Sequence, residues 1–194
     1  MSLERGRLDQ VLSALALLIS EHDSRNGADA YHLFLTVHLC VATRVQDSRR
    51  SPELLRLTRT FVSKALGVYQ NNYKGSFAPQ DIGPVWNVAL QEYDKDPRAF
   101  ITVLSWMALA HIVEDLQSSL REVDVDKSDF DSVFEHIEEC LDNHCRAPVA
   151  QGFRDLIALR IVPEMAPKPI KKLRDSVWDT VDWVKRKQQQ KGSP

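Results

Sequence analysis

The sequence predicts an all-α fold, a single-domain bundle of seven or eight helices around a central hydrophobic helix. Three observations favour this fold class. Apolar residues recur at helical spacing over long segments, no segment alternates apolar and polar residues for long, and glycine is scarce, at 7 of 194 residues. We expect one helical domain over residues 1–187 and a frayed polar tail over residues 188–194.

Start signals and apolar stripes predict the first four helices. Asp29 is a suitable N-cap for the second helix, and Ser51, followed by Pro52 and an acid, is a suitable start for the third. A loop that contains glycine and proline, over residues 74–83, precedes the fourth helix. The four predicted helices lie over about residues 3–21, 30–46, 52–73 and 84–93.

The second half of the chain contains the most hydrophobic helix. The Asp-Pro pair at residues 96–97 repeats the cap-plus-proline start and opens a helix that is apolar almost all round from Ala99 to Ala110. Such a helix is typical of the middle of a bundle. Residues 128–131 resemble a capping box and open a sixth helix. The last two predicted helices lie over about residues 148–161 and 170–187.

Three polar residues, His111, Glu114 and Asp115, lie at the far end of the hydrophobic helix. A spacing of four places the imidazole of His111 and the carboxylate of Asp115 on one helix face. Because a buried polar pair must find partners inside the fold, this position favours a functional role. The pair is predicted to be a catalytic base oriented by an acid, with Glu114 nearby, or to supply metal ligands. The alternative is a core histidine that forms a salt bridge with Asp115.

His38 is a second inward-facing histidine, because it follows Phe34 and precedes Val41 on the apolar stripe of the second helix. It is suitably placed to meet His111 across two helices and to complete an acid/base or ligand set. The alternative, which the residue type alone favours, is a lone core histidine that is hydrogen-bonded to a backbone carbonyl.

Aromatic side chains are predicted to form the apolar, substrate-binding part of the site. They are Trp86, Trp106, Tyr93 and Phe34, which can line a ligand pocket between helices. The alternative is that they fill core volume, as most tryptophans do. Trp86, beside the loop at residues 74–83, is the one that we most expect to touch a ligand.

Composition and motifs argue against several function classes. A net charge of −2 gives no electrostatic case for nucleic acid as a partner. The longest apolar run, Ala99 to Val113, is too short for a membrane span, and the first ten residues do not resemble a signal peptide. P-loop, dinucleotide-binding, nucleophile-elbow and H-E-x-x-H motifs are missing, so we expect no cofactor, or a divalent metal held by His111 and Asp115.

The three cysteines, Cys40, Cys140 and Cys145, form an odd set without C-x-x-C spacing. Cys140 and Cys145 lie five residues apart, which points their side chains to different faces of one helix. We therefore predict reduced thiols and a cytoplasmic location, where disulfides are rare.

The segment Ala110–Leu116 (AHIVEDL) resembles the signature Asn-Ala-His-Ile-x-x-Asp-Leu of an uncharacterised, mostly bacterial family of helical proteins. Phe77-Ala78-Pro79 and Pro84-x-Trp86 resemble the segment that precedes this helix in the family, and the similarity covers about residues 28–120. Leu109 stands where the family has Asn. The resemblance implies a helical fold and points to His111 and Asp115.

Together these features predict a small soluble helical enzyme that acts on a largely apolar organic molecule, as a cyclase, lyase or hydrolase of specialised metabolism. Such an enzyme should have a pocket with His111 at its wall. The alternative is a non-enzymatic interaction or dimerisation module, favoured by the nearly heptad stripe of the last helix. Such a module should have His111 covered by packing, and an exposed apolar groove.

Overall fold

The computed structural model describes residues 3–26, 29–47, 51–74, 82–133, 136 and 167–191. Over these residues all regular structure is helical and there is no strand, which confirms the all-α prediction for this part of the chain. Residues 127–133 are helical, and the helix predicted over residues 148–161 lies outside the described residues. The other elements are α1 (Leu3–Asn26), α2 (Ala30–Asp47), α3 (Pro52–Lys74), α4 (Pro84–Lys95), α5 (Phe100–Ala110), a π-helical turn (His111–Leu116), α6 (Gln117–Glu122) and a C-terminal helix (Pro167–Lys191).

Residues 100–122 form one continuous helix, which we call the site helix. The π-helical turn joins α5 to α6 without a break, because Ala110 and Gln117 on either side of it have ordinary helical dihedral angles. π-helical turns are rare and occur frequently at functional sites. Here the turn begins at His111 and includes Asp115, so the unusual backbone coincides with the predicted polar pair.

Two helices start at the predicted caps. The side chain of Asp29 accepts a hydrogen bond from the backbone N–H of His32 at 2.9 Å. The hydroxyl of Ser51 accepts one from the backbone N–H of Leu54 at 3.2 Å. Each bond satisfies one of the donors that the first turn of a helix leaves unpaired, which is how a short polar side chain fixes a helix start.

Two other helix starts differ from the prediction. The side chain of Asp96 accepts a hydrogen bond from the N–H of Arg98 at 2.9 Å, which closes a turn, and α5 therefore begins only at Phe100. The C-terminal helix begins earlier than predicted, at Pro167, since proline is tolerated in a first helical turn, and it continues to Lys191.

A single cluster of buried apolar residues forms the core, with contributions from all six numbered helices and the C-terminal helix. The site helix is buried along one side at Val103, Met107 and Ala110, whereas Thr102 and Ser105 are exposed on the other. None of the helices described has a stretch that is both long and hydrophobic enough to span a membrane.

Cys40 on α2 is disulfide-bonded, so the prediction of reduced thiols is wrong for this residue. The sequence spacing of cysteines reports on local motifs and not on which helices meet in the fold. The two other cysteines, Cys140 and Cys145, lie outside the described residues. The expectation of a cytoplasmic location depended on reduced thiols. Because disulfides persist mainly in oxidising compartments, the cysteines no longer support that expectation.

Candidate functional site

His111 and Asp115 form a buried hydrogen-bonded pair on the π-helical turn. His111 Nδ1 lies 2.7 Å from Asp115 Oδ2, and the two residues are 2 % and 7 % exposed. The indole N–H of Trp86 donates to the same carboxylate oxygen at 3.1 Å. An ionised carboxylate only accepts hydrogen bonds, so His111 carries its proton on Nδ1 whenever Asp115 is charged.

The second ring nitrogen of His111, Nε2, is buried and has no hydrogen-bond partner among the described residues. Aromatic rings surround it. Phe61 stacks on the imidazole with ring centroids 3.6 Å apart, and Phe34 meets the imidazole edge-on at 5.5 Å. A buried polar atom without a partner costs about 1–3 kcal/mol, so Nε2 requires an explanation beyond packing.

His38 on α2 lies directly beside His111, with ring centroids 4.4 Å apart. Its Nδ1 donates to the backbone carbonyl of Phe34 at 2.7 Å, which leaves Nε2 as the lone-pair nitrogen of the neutral ring. His38 is half-buried, whereas His111 is buried. His38 is thus bonded to a backbone carbonyl and also contacts His111, whereas its role in an acid/base or ligand set stays a prediction.

Burial sets the protonation states of these groups. It lowers the pKa of His38 to about 3, with a further lowering by the neighbouring His111. Burial also lowers the pKa of His111 well below its ordinary value. For Asp115, burial raises the pKa to about 7, although the Trp86 hydrogen bond and the charge of Lys64 oppose this. A carboxyl group that titrates near neutral pH beside a neutral imidazole is typical of acid/base sites.

Glu114 contacts the start of α4 and not the imidazole. Its Oε1 accepts a hydrogen bond from the N–H of Val85 at 2.8 Å, and its Oε2 accepts one from the N–H of Trp86 at 3.4 Å. These groups are among the donors that a helix leaves unpaired at its N-terminus, where a negative charge is also favourable. Glu114 thus caps α4 from another helix and fixes the backbone that carries Trp86.

Gly83 is the N-cap residue of α4, and it gives the Glu114 carboxylate the space to approach. A Cβ atom at residue 83 would overlap the carboxyl group of Glu114. The φ angle of Gly83 is −60°, which any residue adopts, so the requirement for glycine is one of space and not of backbone conformation.

The structure brings two of the four predicted pocket residues to His111. Phe34 and Trp86 are both buried, and their rings lie 5.5 Å and 6.3 Å from the imidazole. Trp106 precedes His111 by five residues and is partly exposed on a different helix face. Tyr93 belongs to a second polar cluster, described next. Sequence reasoning missed Phe61, because an apolar residue on a stripe is normally read as core.

A second buried His–Asp pair, His22 and Asp29, also escaped sequence reasoning. His22 Nε2 lies 2.9 Å from the Asp29 carboxylate, and Nδ1 lies 2.7 Å from the hydroxyl of Tyr69. Burial favours the neutral acid, but hydrogen bonds from His22, the His32 N–H and Tyr93 outweigh it and lower the pKa of Asp29. Both ring nitrogens of His22 have partners, so this pair is satisfied by the protein itself. A histidine on the apolar stripe of α1 was the only available signal.

The described residues contain no group of three or more His, Cys, Asp or Glu side chains that could hold a metal ion. What they do contain is an imidazole with one nitrogen held by an acid and the other free. This arrangement can accept a proton at Nε2 and stabilise the resulting cation through Asp115.

Comparison of the chain with protein-family models, with curated proteins and with solved structures finds no match. The family resemblance of the segment Ala110–Leu116 therefore stays a prediction. Functional conclusions depend on the geometry around His111.

Proposed function

We propose that this protein is a small helical enzyme in which Nε2 of His111 acts as general base on a largely apolar organic substrate. One observation carries the proposal, namely that this nitrogen is buried without a partner in the described part of the chain, while Nδ1 of the same ring is held by Asp115. An acid in this position fixes the tautomer of the histidine and stabilises the imidazolium that forms. Trp86, which bonds Asp115, and Glu114, which fixes α4, are positioning residues.

The surroundings of Nε2 support an apolar substrate. Phe34, Phe61 and Trp86 lie around the imidazole, and they offer ring faces and edges. Phe61 and His38 contact the imidazole of His111 and are both half-buried, so the substrate approaches Nε2 from the side of these two rings. Hydrolysis, elimination and cyclisation can all begin with removal of a proton by such a base. We take the helices to form one bundle around the site helix, as the sequence predicts.

Turnover of an apolar small-molecule extract tests the proposal. Wild type, His111→Gln, Asp115→Asn and the control His32→Gln are incubated with the extract in D₂O, and products are followed by mass spectrometry. A general base typically accelerates a reaction by about 10²–10⁴. The products that the wild type and the control form should therefore appear at least about 100-fold more slowly with His111→Gln. Equal product formation by folded His111→Gln would contradict the proposal.

Protein interaction or dimerisation is a second candidate function, supported by the C-terminal helix. Trp183 on this helix is 62 % exposed, on a face that also carries Lys172, Asp179 and Thr180. Exposed tryptophans are enriched at interaction surfaces, and the cover of His111 by Phe61 also agrees with this candidate. Sedimentation equilibrium of wild type and Trp183→Arg tests it. The wild type is expected to be a dimer, and the substitution is expected to dissociate it.

A further inference from the structure

We infer that the site binds an aromatic molecule with two adjacent hydroxyl groups, of the catechol class, whose two O–H groups donate to His111 and His38. The inference rests on the proposed function, since it names the substrate class of the same site. It depends on the hydrogen-bonding capacity that the two neighbouring imidazoles leave unused.

Each of the two neighbouring imidazoles has one ring nitrogen engaged and the other left as an acceptor. Nδ1 of His111 is engaged by Asp115, and Nδ1 of His38 by the carbonyl of Phe34, each at 2.7 Å. Each neutral ring then has its lone pair on Nε2. Two lone pairs cannot bond each other, although the rings are only 4.4 Å apart. A molecule with two hydrogen-bond donors can therefore satisfy both nitrogens at once, namely Nε2 of His111, which is buried and without a partner among the described residues, and Nε2 of the half-buried His38.

Two donor groups near this position, among the residues that the structure describes, are already in use. The indole N–H of Trp86 bonds Asp115, and the ammonium of Lys64 bonds Glu122 at 2.8 Å. Ser119 has a buried hydroxyl without a partner, but it follows His111 by eight residues, roughly 12 Å along a helix. The missing donors are thus expected from a ligand.

The aromatic surroundings select the rest of the ligand. Phe34 and Phe61 flank the imidazole of His111 with an edge-on and a stacked ring, so a planar aryl body can contact them in the same ways. Adjacent hydroxyls on one aryl ring carry two donors at a fixed separation, with little entropy to lose on binding.

Three ligands that share one aryl ring with two adjacent oxygens, and differ in their number of O–H groups, test the inference on the wild-type protein. Catechol has two O–H groups, guaiacol has one, and veratrole has none. Isothermal titration calorimetry measures their affinities, and ¹⁵N NMR follows Nε2 of both histidines. Each donor removed leaves one ring nitrogen in the complex unpaired, so affinity should fall about tenfold or more at each step, and catechol should shift both Nε2 signals.

Variants separate the two acceptors. In His38→Phe, catechol and guaiacol should bind alike, whereas the control His32→Phe, on the same helix, should keep the wild-type ranking. Equal affinity of the three ligands for the wild type, or no binding of any, overturns the inference. If guaiacol binds as tightly as catechol and its affinity is lost in His111→Gln, the inference of a second O–H donor is overturned. The proposal that His111 is the base then stays intact. A shift of both Nε2 signals with Zn²⁺ alone, without binding of catechol, overturns it in favour of a metal cation.

Discussion

An imidazole that is buried with one nitrogen unpaired raises the question of what stabilises it there. The unpaired nitrogen of His111 costs about 1–3 kcal/mol. The stacked contact with Phe61 and the edge-on contact with Phe34 contribute about 0.5–1.5 kcal/mol each. These terms are of similar size, so aromatic packing offsets the cost of the unpaired nitrogen in the folded protein.

The low pKa of His38 makes the stability of the protein depend on pH. Burial lowers this pKa from 6.5 to about 3 on folding, so the unfolded chain binds a proton that the folded chain rejects. Stability is therefore lost as the pH falls below about 6. Relative to His38→Phe, the free energy of unfolding of the wild type should fall by about 1 kcal/mol per pH unit down to about pH 4. This slope is below the full linkage value because the ring is half-buried.

Urea unfolding at several pH values measures this difference. Thr36→Val is a suitable control, because its hydroxyl bonds only the carbonyl of His32, on its own helix. In the control, the free energy of unfolding should change with pH as steeply as in the wild type. An equally steep change in His38→Phe would contradict the prediction.

Asp115 has the opposite pH dependence. Burial raises its pKa from 3.8 to about 7 on folding, so the folded chain binds a proton that the unfolded chain has released. The stability that Asp115 contributes is thus present below about pH 4 and lost as the pH rises to 7. Relative to Asp115→Asn, the free energy of unfolding of the wild type should fall by about 1 kcal/mol for each pH unit of rise across this window. Chemical unfolding across the window measures it, and parallel curves for the two proteins would show that the carboxyl group is not buried as described.

At the scale of elements, α4 depends on a cap from another helix. Glu114 on the site helix bonds the first N–H groups of α4, and Gly83 leaves the space for it. Sequence patterns find caps that lie next to their helix, such as Asp29 and Ser51. They do not find this one, because Glu114 is about thirty residues from the N–H groups that it bonds.

Alanine at two glycines should therefore have opposite effects. Gly83→Ala displaces the Glu114 carboxylate and should lower the free energy of unfolding by about 1–2 kcal/mol, as the loss of an N-cap does. Gly67→Ala, inside α3 with open space around it, should raise this free energy by about 0.5–1 kcal/mol. Guanidinium unfolding of both variants measures the pair of effects. A stable Gly83→Ala protein with an unchanged Trp86 fluorescence spectrum would contradict the cap.

At the scale of the whole molecule, aromatic rings connect the two buried His–Asp pairs. Tyr31 contacts the rings of His22 and Phe34, at 6.4 Å and 6.1 Å, and Phe34 contacts His111. The pairs differ in one respect, which is that His22 has partners for both nitrogens and His111 does not. Among the described residues, one core therefore holds a pair whose ring nitrogens both have partners and a pair in which one ring nitrogen has none.

The disulfide of Cys40 should contribute to the stability of the molecule. Removal of a disulfide typically costs about 2–4 kcal/mol, so a reductant should lower the melting temperature of the wild type by several degrees. A Cys40→Ser variant should melt at the same temperature with and without the reductant. Peptide mapping of the oxidised protein identifies the bonded partner, and three free thiols per native chain would show that the bond does not form.

The sequence by itself determined the helical class, the caps at Asp29 and Ser51, and the pairing of His111 with Asp115. Each of these depends on residues within a few positions of one another, and helical periodicity places such residues on one face. The tertiary structure decided between the alternatives for His38, which contacts His111, and it alone showed that Glu114 caps α4 and that His22 bonds Asp29. These contacts join different helices, and periodicity states which face of a helix is buried but not which neighbour it is buried against.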